Sequence, residues 1–248
     1  MYELTLCHLY PDLLNLYGDR GNIIALRRRA QWRGIRMHVV PVTLGDAFQA
    51  QNYNIVFLGG GQSYEQEIIQ KDLISQKGNE IKEAIEAGRV FICICGGYQL
   101  MGKFYRTAEG RDVQFLDALN LWTVEGEDRM IGNLLFECDF LKDGGGDHRI
   151  IGFENHAGRT YLGKGITPLG KVIAGFGNNG EDGFEGARYK NVFCSYSHGS
   201  LLPKNPRLTD YLLLTALQEK YKDIETLSPL DDCLENKAHD TMIKRVSG

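Results

Sequence analysis

Apolar and polar positions switch between two periods along the first hundred residues. Leu4 to Leu9 is a short apolar run, Arg36 to Val42 is β-branched in character, and Asn54 to Leu58 and Arg89 to Cys95 are buried-strand stretches. Between them, Ile23 to Arg33 carries Ile23, Leu26 and Ala30 at helical spacing after the turn Gly18-Asp19-Arg20-Gly21, with Gly34 as its stop. Ser63 to Ala87 reads as a helix in two pieces broken near Gly78, with Ile81, Ala84 and Ile85 on one face and Gly88 as its cap. Tyr98 to Phe104 reads as a further helix. Strand–helix alternation of this kind predicts an α/β fold, a mostly parallel sheet with helices on both faces.

From about Thr107 the pattern shifts to short strands with glycine turns, including Gly144 to Gly146 and the run Gly175 to Gly186. This predicts an antiparallel elaboration on the same domain. The last clear helix is expected over Leu208 to Tyr221, and the polar tail from Lys222 to Gly248 as an outer helix or a partner-binding arm. No internal repeat or low-complexity linker divides the chain. We expect one domain over residues 1–222 and a tail over 223–248.

Composition narrows the classes. At 248 residues the chain is long enough to bury a sizeable core. With 28 basic and 32 acidic side chains it carries a net charge of −4, which argues against a nucleic-acid binder. No stretch approaches the roughly 18 apolar residues of a membrane span. The opening MYELTLCHLYPDLL has no basic segment ahead of an apolar one, and the six cysteines form no CxxC pair. A reducing, cytoplasmic setting is expected. Glycine is abundant, 30 of 248 residues, which suggests turns and places where backbone approaches a ligand.

Two phosphate-binding patterns fail on inspection. Gly175 to Gly180 spells GxGxxG, but Glu181-Asp182-Gly183 follows where a helix would have to begin. Gly158 to Gly165 approximates a Walker loop, yet Gly165 stands where a hydroxyl must hold Mg²⁺. The six histidines show no i, i+3 or i+4 pairing. We therefore expect no cofactor and no metal in this chain.

The informative segment is Val90 to Gly102. A buried strand ends at Cys95, Gly96 and Gly97 make a sharp turn, and a helix begins at once. That is a nucleophile-elbow layout, in which backbone strain lifts the reactive atom clear of the sheet and following N–H groups can stabilise an oxyanion. Cys93, inside the strand, reads as a structural thiol. A cysteine nucleophile needs a base, and His198 at the end of the strand-like Asn191 to Gly199 has the best setting, with His156 as its rival.

The segments Leu58 to Gln62 (LGGGQ), Cys95 to Gln99 (CGGYQ) and Ser197 to Gly199 (SHG) resemble class I glutamine amidotransferase domains, in the cobyric acid synthase-like branch. Tyr10 to Asn22 (YPDLLNLYGDRGN) and Gly152 to Thr160 (GFENHAGRT) resemble the GatD-type glutaminase subunits of lipid II isoglutaminyl synthases. The resemblance implies a flavodoxin-like sheet, Cys95 as nucleophile, His198 as its base and Arg129 as the group that binds the glutamine α-carboxylate. It also implies backbone oxyanion donors at Gly96 and at Gly61, with Gly60 the alternative. Most class I relatives place an acid two residues after the histidine, where this chain has Ser200. Either a Cys–His dyad operates or a remote acid orients the imidazole. Asp19 is the candidate acid, and its alternative role is to cap the helix that starts near Asn22.

The resemblance further implies a heterodimer with a Mur-ligase-like synthetase (MurT), which would hold ATP and Mg²⁺ and amidate the D-glutamate of lipid II with ammonia from L-glutamine. An amidotransferase for a cobyrinate-type acceptor and a PfpI-type cysteine hydrolase are the alternatives.

Overall fold

The computed structural model describes residues 1–15 and 18–247. Leu16 and Tyr17, inside the Tyr10 to Asn22 segment, and Gly248 of the tail lie outside the described residues. The first half lays down β1 (Glu3–Leu9), α1 (Arg20–Trp32), β2 (Arg36–Val42), β3 (Ile55–Leu58), α2 (Ser63–Asp72), α3 (Gly78–Glu86), β4 (Val90–Ile94) and α4 (Gly96–Leu100). A π-helical turn, Leu73–Lys77, joins α2 to α3, which is the break expected near Gly78. The expected helix over Tyr98 to Phe104 is corrected: α4 ends at Leu100, and Phe104 opens strand β5 (Phe104–Arg106). Gly102 is the reason, because a Cβ there would lie 2.5 Å from Leu121 Cδ1, so the chain turns where it packs on the next strand.

Strands β6 (Asp112–Gln114), β7 (Leu121–Glu137), β8 (Arg149–Leu162), β9 (Gly170–Ala174), β10 (Phe184–Glu185), β11 (Ala187–Tyr189) and β12 (Val192–Ser195) follow, then α5 (Pro206–Lys220) and α6 (Cys233–Ser247). The first sheet has the order β11-β12-β4-β3-β1-β2 and is parallel except for β11. Its inner strands β1, β3 and β4 are buried on both faces. Cys7, Leu9, Val56, Leu58, Phe91 and Cys93 point into one core, and Leu4, Leu6, Ile55, Phe57, Ile92 and Ile94 into the other.

The glycine-rich second half is a separate, mostly antiparallel sheet of order β10-β9-β7-β5-β6, with β8 also paired to β7. Its centre is two long strands of 17 and 14 residues rather than the short ones expected. The irregularity between Glu125 and Met130 interrupts the alternation on β7, so the sequence looks like separate pieces. The last helix, α6, packs Ile243 against Leu135 and Ile151 on the outer face of this sheet. Arg29 of α1 is bridged to Asp210 of α5 and to Asp232, which ties the segment before α6 to the first sheet's helical layer.

Candidate active site

Cys95 is the pivot between β4 and α4. It sits at φ +50°, ψ −103°, a left-handed conformation that a residue with a Cβ adopts only when its surroundings impose it. The next two positions admit only glycine. A Cβ on Gly96 would lie 2.7 Å from the Gly61 carbonyl oxygen, and one on Gly97 2.7 Å from that of Leu58. The Gly97 N–H donates to the Gly59 carbonyl at 3.1 Å, so the elbow and the loop after β3 are pinned together. Cys93, two residues earlier in β4, is fully buried, in register with Cys194, and does not line the cleft.

His198 arrives from the neighbouring strand. β12 runs parallel to β4 with Ser195 in register with Ile94, and His198 follows three residues later. Its N–H donates to the Phe153 carbonyl at 2.6 Å, which anchors it between the two sheets. The imidazole is fully buried, with Nδ1 3.6 Å from Asp19 Oδ1. Burial works to lower its pKa, but the charge of a Cys95 thiolate and the Asp19 carboxylate outweigh that and raise it to about 10. A protonated imidazole beside a thiolate is the ion pair that makes cysteine nucleophilic near neutral pH.

Asp19 occupies the N-cap position of α1, yet its side chain makes no cap hydrogen bond. Its Oδ2 accepts from the Gly60 N–H at 2.7 Å, and its Oδ1 faces His198. The helix starts at Arg20, directly after Asp19, and the capping alternative is corrected because the carboxylate is turned to Gly60 and His198 instead of the helix N–H groups. Gly60 lies among the three groups: a Cβ on it would be 2.8 Å from His198 Cε1, 3.1 Å from Asp19 Oδ2 and 3.6 Å from Cys95 Cβ. Because its N–H is taken by Asp19, Gly60 is not an oxyanion donor. Among the described residues no hydrogen bond engages the N–H of Gly61 or of Gly96, and the two glycines touch beside Cys95. Ser200, in the position of the usual acid, sits at φ +49° and donates its hydroxyl to the Gly18 carbonyl at 2.6 Å.

These groups open into a cavity of about 460 Å³ lined by Cys95, Gly61, Gln99, Tyr105 and, from the second sheet, Arg129 and Asn155. Arg129 is exposed, and its guanidinium donates to Asn155 Oδ1 from Nε at 3.0 Å and from Nη2 at 2.7 Å. Asn155 was not singled out from the sequence, although it lies within the Gly152 to Thr160 segment. Gln99, four residues after Cys95 on the same helix face, was also missed. Its amide accepts from Gln66 Nε2 at 3.0 Å and donates to the Tyr196 hydroxyl at 3.1 Å. His156 lines the cavity, but its ring is stacked 3.6 Å from Tyr196 and its Nδ1 bonds the Gly158 carbonyl at 2.7 Å. Behind β12, the fully buried Glu185 accepts from Ser195 Oγ at 2.7 Å and Tyr196 N–H at 2.8 Å, and burial raises its pKa to about 7.

The model of the CobB/CobQ-like glutamine amidotransferase domain matches residues 5–206. The chain is 42% identical over 247 residues to the lipid II isoglutaminyl synthase (glutamine-hydrolyzing) subunit GatD of Staphylococcus aureus, spanning 100% of this chain and 98% of that one. It is 41% identical over 238 residues to the GatD subunit of Streptococcus pneumoniae, spanning 95% and 89%. Among solved structures, a glutamine amidotransferase of Thermotoga maritima superposes with a TM-score of 0.54 at 16% identity, covering 99% of this chain and 91% of that one, and shares its fold. The chain therefore belongs to the CobB/CobQ-like glutamine amidotransferase family, in its GatD branch.

Proposed function

We propose that this chain is the glutamine-hydrolysing subunit of a lipid II isoglutaminyl synthase. The observation that carries the reading is that a strained Cys95 and Arg129 line one cavity, with the buried His198 next to Cys95 across Gly60. In the proposed reaction the Cys95 thiolate attacks the side-chain amide carbon of L-glutamine bound through its α-carboxylate to Arg129. The N–H groups of Gly61 and Gly96 stabilise the tetrahedral oxyanion. The His198 imidazolium gives its proton to the departing nitrogen, releasing ammonia and leaving a γ-glutamyl thioester. His198, now neutral, takes a proton from water as it attacks the thioester, which returns glutamate and the thiol. Asp19 holds the imidazole in the orientation both steps need.

Ammonia then requires an acceptor. A partner of the Mur-ligase-like MurT class, holding ATP and Mg²⁺, would activate the D-glutamate carboxyl of lipid II in a heterodimer in the cytoplasm. The GatD relatives, named as subunits of a lipid II isoglutaminyl synthase, support this assignment. No helix among the described residues is long and apolar enough to cross a membrane.

Reconstitution with such a synthetase tests the reading. With Cys95→Ala, amidation of lipid II driven by glutamine should cease while ammonium salts still support it. A glutamine-analogue electrophile should label Cys95 and spare the other five cysteines. Labelling chiefly at Cys93, or failure of ammonium to rescue the mutant complex, would overturn the assignment.

A further inference from the structure

A second cavity, of about 590 Å³, opens at the carboxyl ends of β1 and β2 beneath the first two turns of α1. His8 and Pro41, neighbours in register on the two strands, line its sheet side. Arg20, Ile24 and Arg27 of α1 line the opposite side, and Asp12 and Thr43 also border it. Open α/β sheets bind ligands at this edge. The elbow occupies one part of the edge, and this cavity is a separate part of it.

Three observations point to a ligand. His8 is 4% exposed, yet its Nε2 has no hydrogen-bond partner among the described residues. A buried polar atom left in this way is costly unless a further group satisfies it. Arg29, Arg33 and Arg36 are paired with carboxylates, whereas Arg20 and Arg27 are in no ion pair among the described residues, Asp12 included. The 13-residue α1 also presents its amino end here, where the backbone dipole favours negative charge. Burial first, and then the charge of Arg20, lower the His8 pKa to about 4 against the opposite pull of Asp12. The neutral ring can offer Nε2–H as a donor.

We propose that this cavity binds a small phosphorylated molecule, its phosphate oxygens held by Arg20, Arg27 and the Nε2–H of His8. Two guanidiniums against one carboxylate leave the site net cationic, and Ile24, Val39 and Pro41 offer apolar contact to the organic part of the ligand. Arg20 directly follows Asp19, whose carboxylate engages Gly60 and faces His198. Occupancy therefore fixes the turn that carries Asp19 and changes the rate of glutamine hydrolysis. This link rests on the function proposed above; the binding itself does not.

Calorimetric titration of the full chain with inorganic phosphate and with pyrophosphate, at matched ionic strength, tests the site. Saturable binding of one ligand per chain is expected. Arg27→Ala, at an exposed position in no ion pair or side-chain hydrogen bond among the described residues, should weaken it by about 10- to 100-fold, the loss of one charge-assisted contact. Cys95→Ala should bind as the wild type does, and saturating pyrophosphate should alter the glutaminase rate of wild type but not of Arg27→Ala. No saturable binding at millimolar pyrophosphate, equal binding by Arg27→Ala, or binding only to phosphatidylglycerol vesicles would overturn the site. Binding without any change in rate would overturn the link to Asp19. A chain that binds pyrophosphate but never hydrolyses glutamine would instead count against the proposed function.

Discussion

Asp19 Oδ1 lies 3.6 Å from His198 Nδ1, and the second oxygen of the same carboxylate accepts the Gly60 N–H at 2.7 Å. One side chain from the β1–α1 turn thus steadies both the imidazole and the loop that borders the nucleophile. Asp19→Asn should keep the fold but lower kcat for glutamine hydrolysis by at least about tenfold, a loss of about 1.4 kcal/mol of transition-state stabilisation. The alkaline end of the His198 titration, about 10 in the native site, should move down in the same variant, because one of the charges that raises it is gone. An unchanged pH profile and kcat would reduce the site to a Cys–His dyad.

Ser200 contributes by holding that turn. Its hydroxyl donates to the Gly18 carbonyl at 2.6 Å, one residue ahead of Asp19. Ser200→Ala should cost about 1 kcal/mol of stability and lower kcat with little change in KM. A loss of stability with kcat intact would leave Ser200 a purely structural residue.

Arg129 lines the cavity and is the group proposed to hold the glutamine α-carboxylate. Arg129→Ala should raise KM for glutamine by about 10- to 100-fold, the cost of one charge-assisted pair. Alkylation of Cys95 by a small reagent without an amino-acid moiety should proceed at the wild-type rate. Asn155→Ala should give a smaller effect of the same sign, because the guanidinium loses the amide that orients it. Equal KM in all three proteins would return Arg129 to the solvent.

Glu185 predicts a pH effect on stability. Its carboxyl is raised from an ordinary 4.5 to about 7 chiefly by burial, so the folded state holds the proton more tightly than the unfolded chain. Its favourable contribution is complete below about pH 4.5 and is lost as pH rises to about 7, worth at most about 3 kcal/mol. In Glu185→Gln the amide oxygen can still accept from Ser195 and Tyr196, and no proton is lost. Thermal melts from pH 5 to 8 should show the variant gaining on the wild type as pH rises. Parallel curves would refute this.

The strands of the first sheet, the elbow at Cys95 and the place of His198 at a strand end were legible because short-range signals mark them: apolar runs bounded by glycine, and a histidine closing a strand. Asp19 could be named but not placed, since a carboxylate before a helix looks the same whether it caps that helix or reaches across to His198. Gly60 and Gly61 were indistinguishable until the 2.7 Å bond to Asp19 removed one N–H from consideration. The hold of Asn155 on Arg129 was illegible for a different reason. It depends on the pairing of β7 with β8, and the irregularity between Glu125 and Met130 hides that register from any reading of alternation.

Cys95, His198 and Asp19 all follow strands of the first sheet, whereas Arg129 and Asn155 belong to the second. On the function proposed above, bond breaking and substrate binding thus draw on different sheets of one chain. On that reading, changes in β7 and β8 that keep the Phe153 carbonyl on His198 would alter what the cavity admits more than the geometry of Cys95, His198 and Asp19.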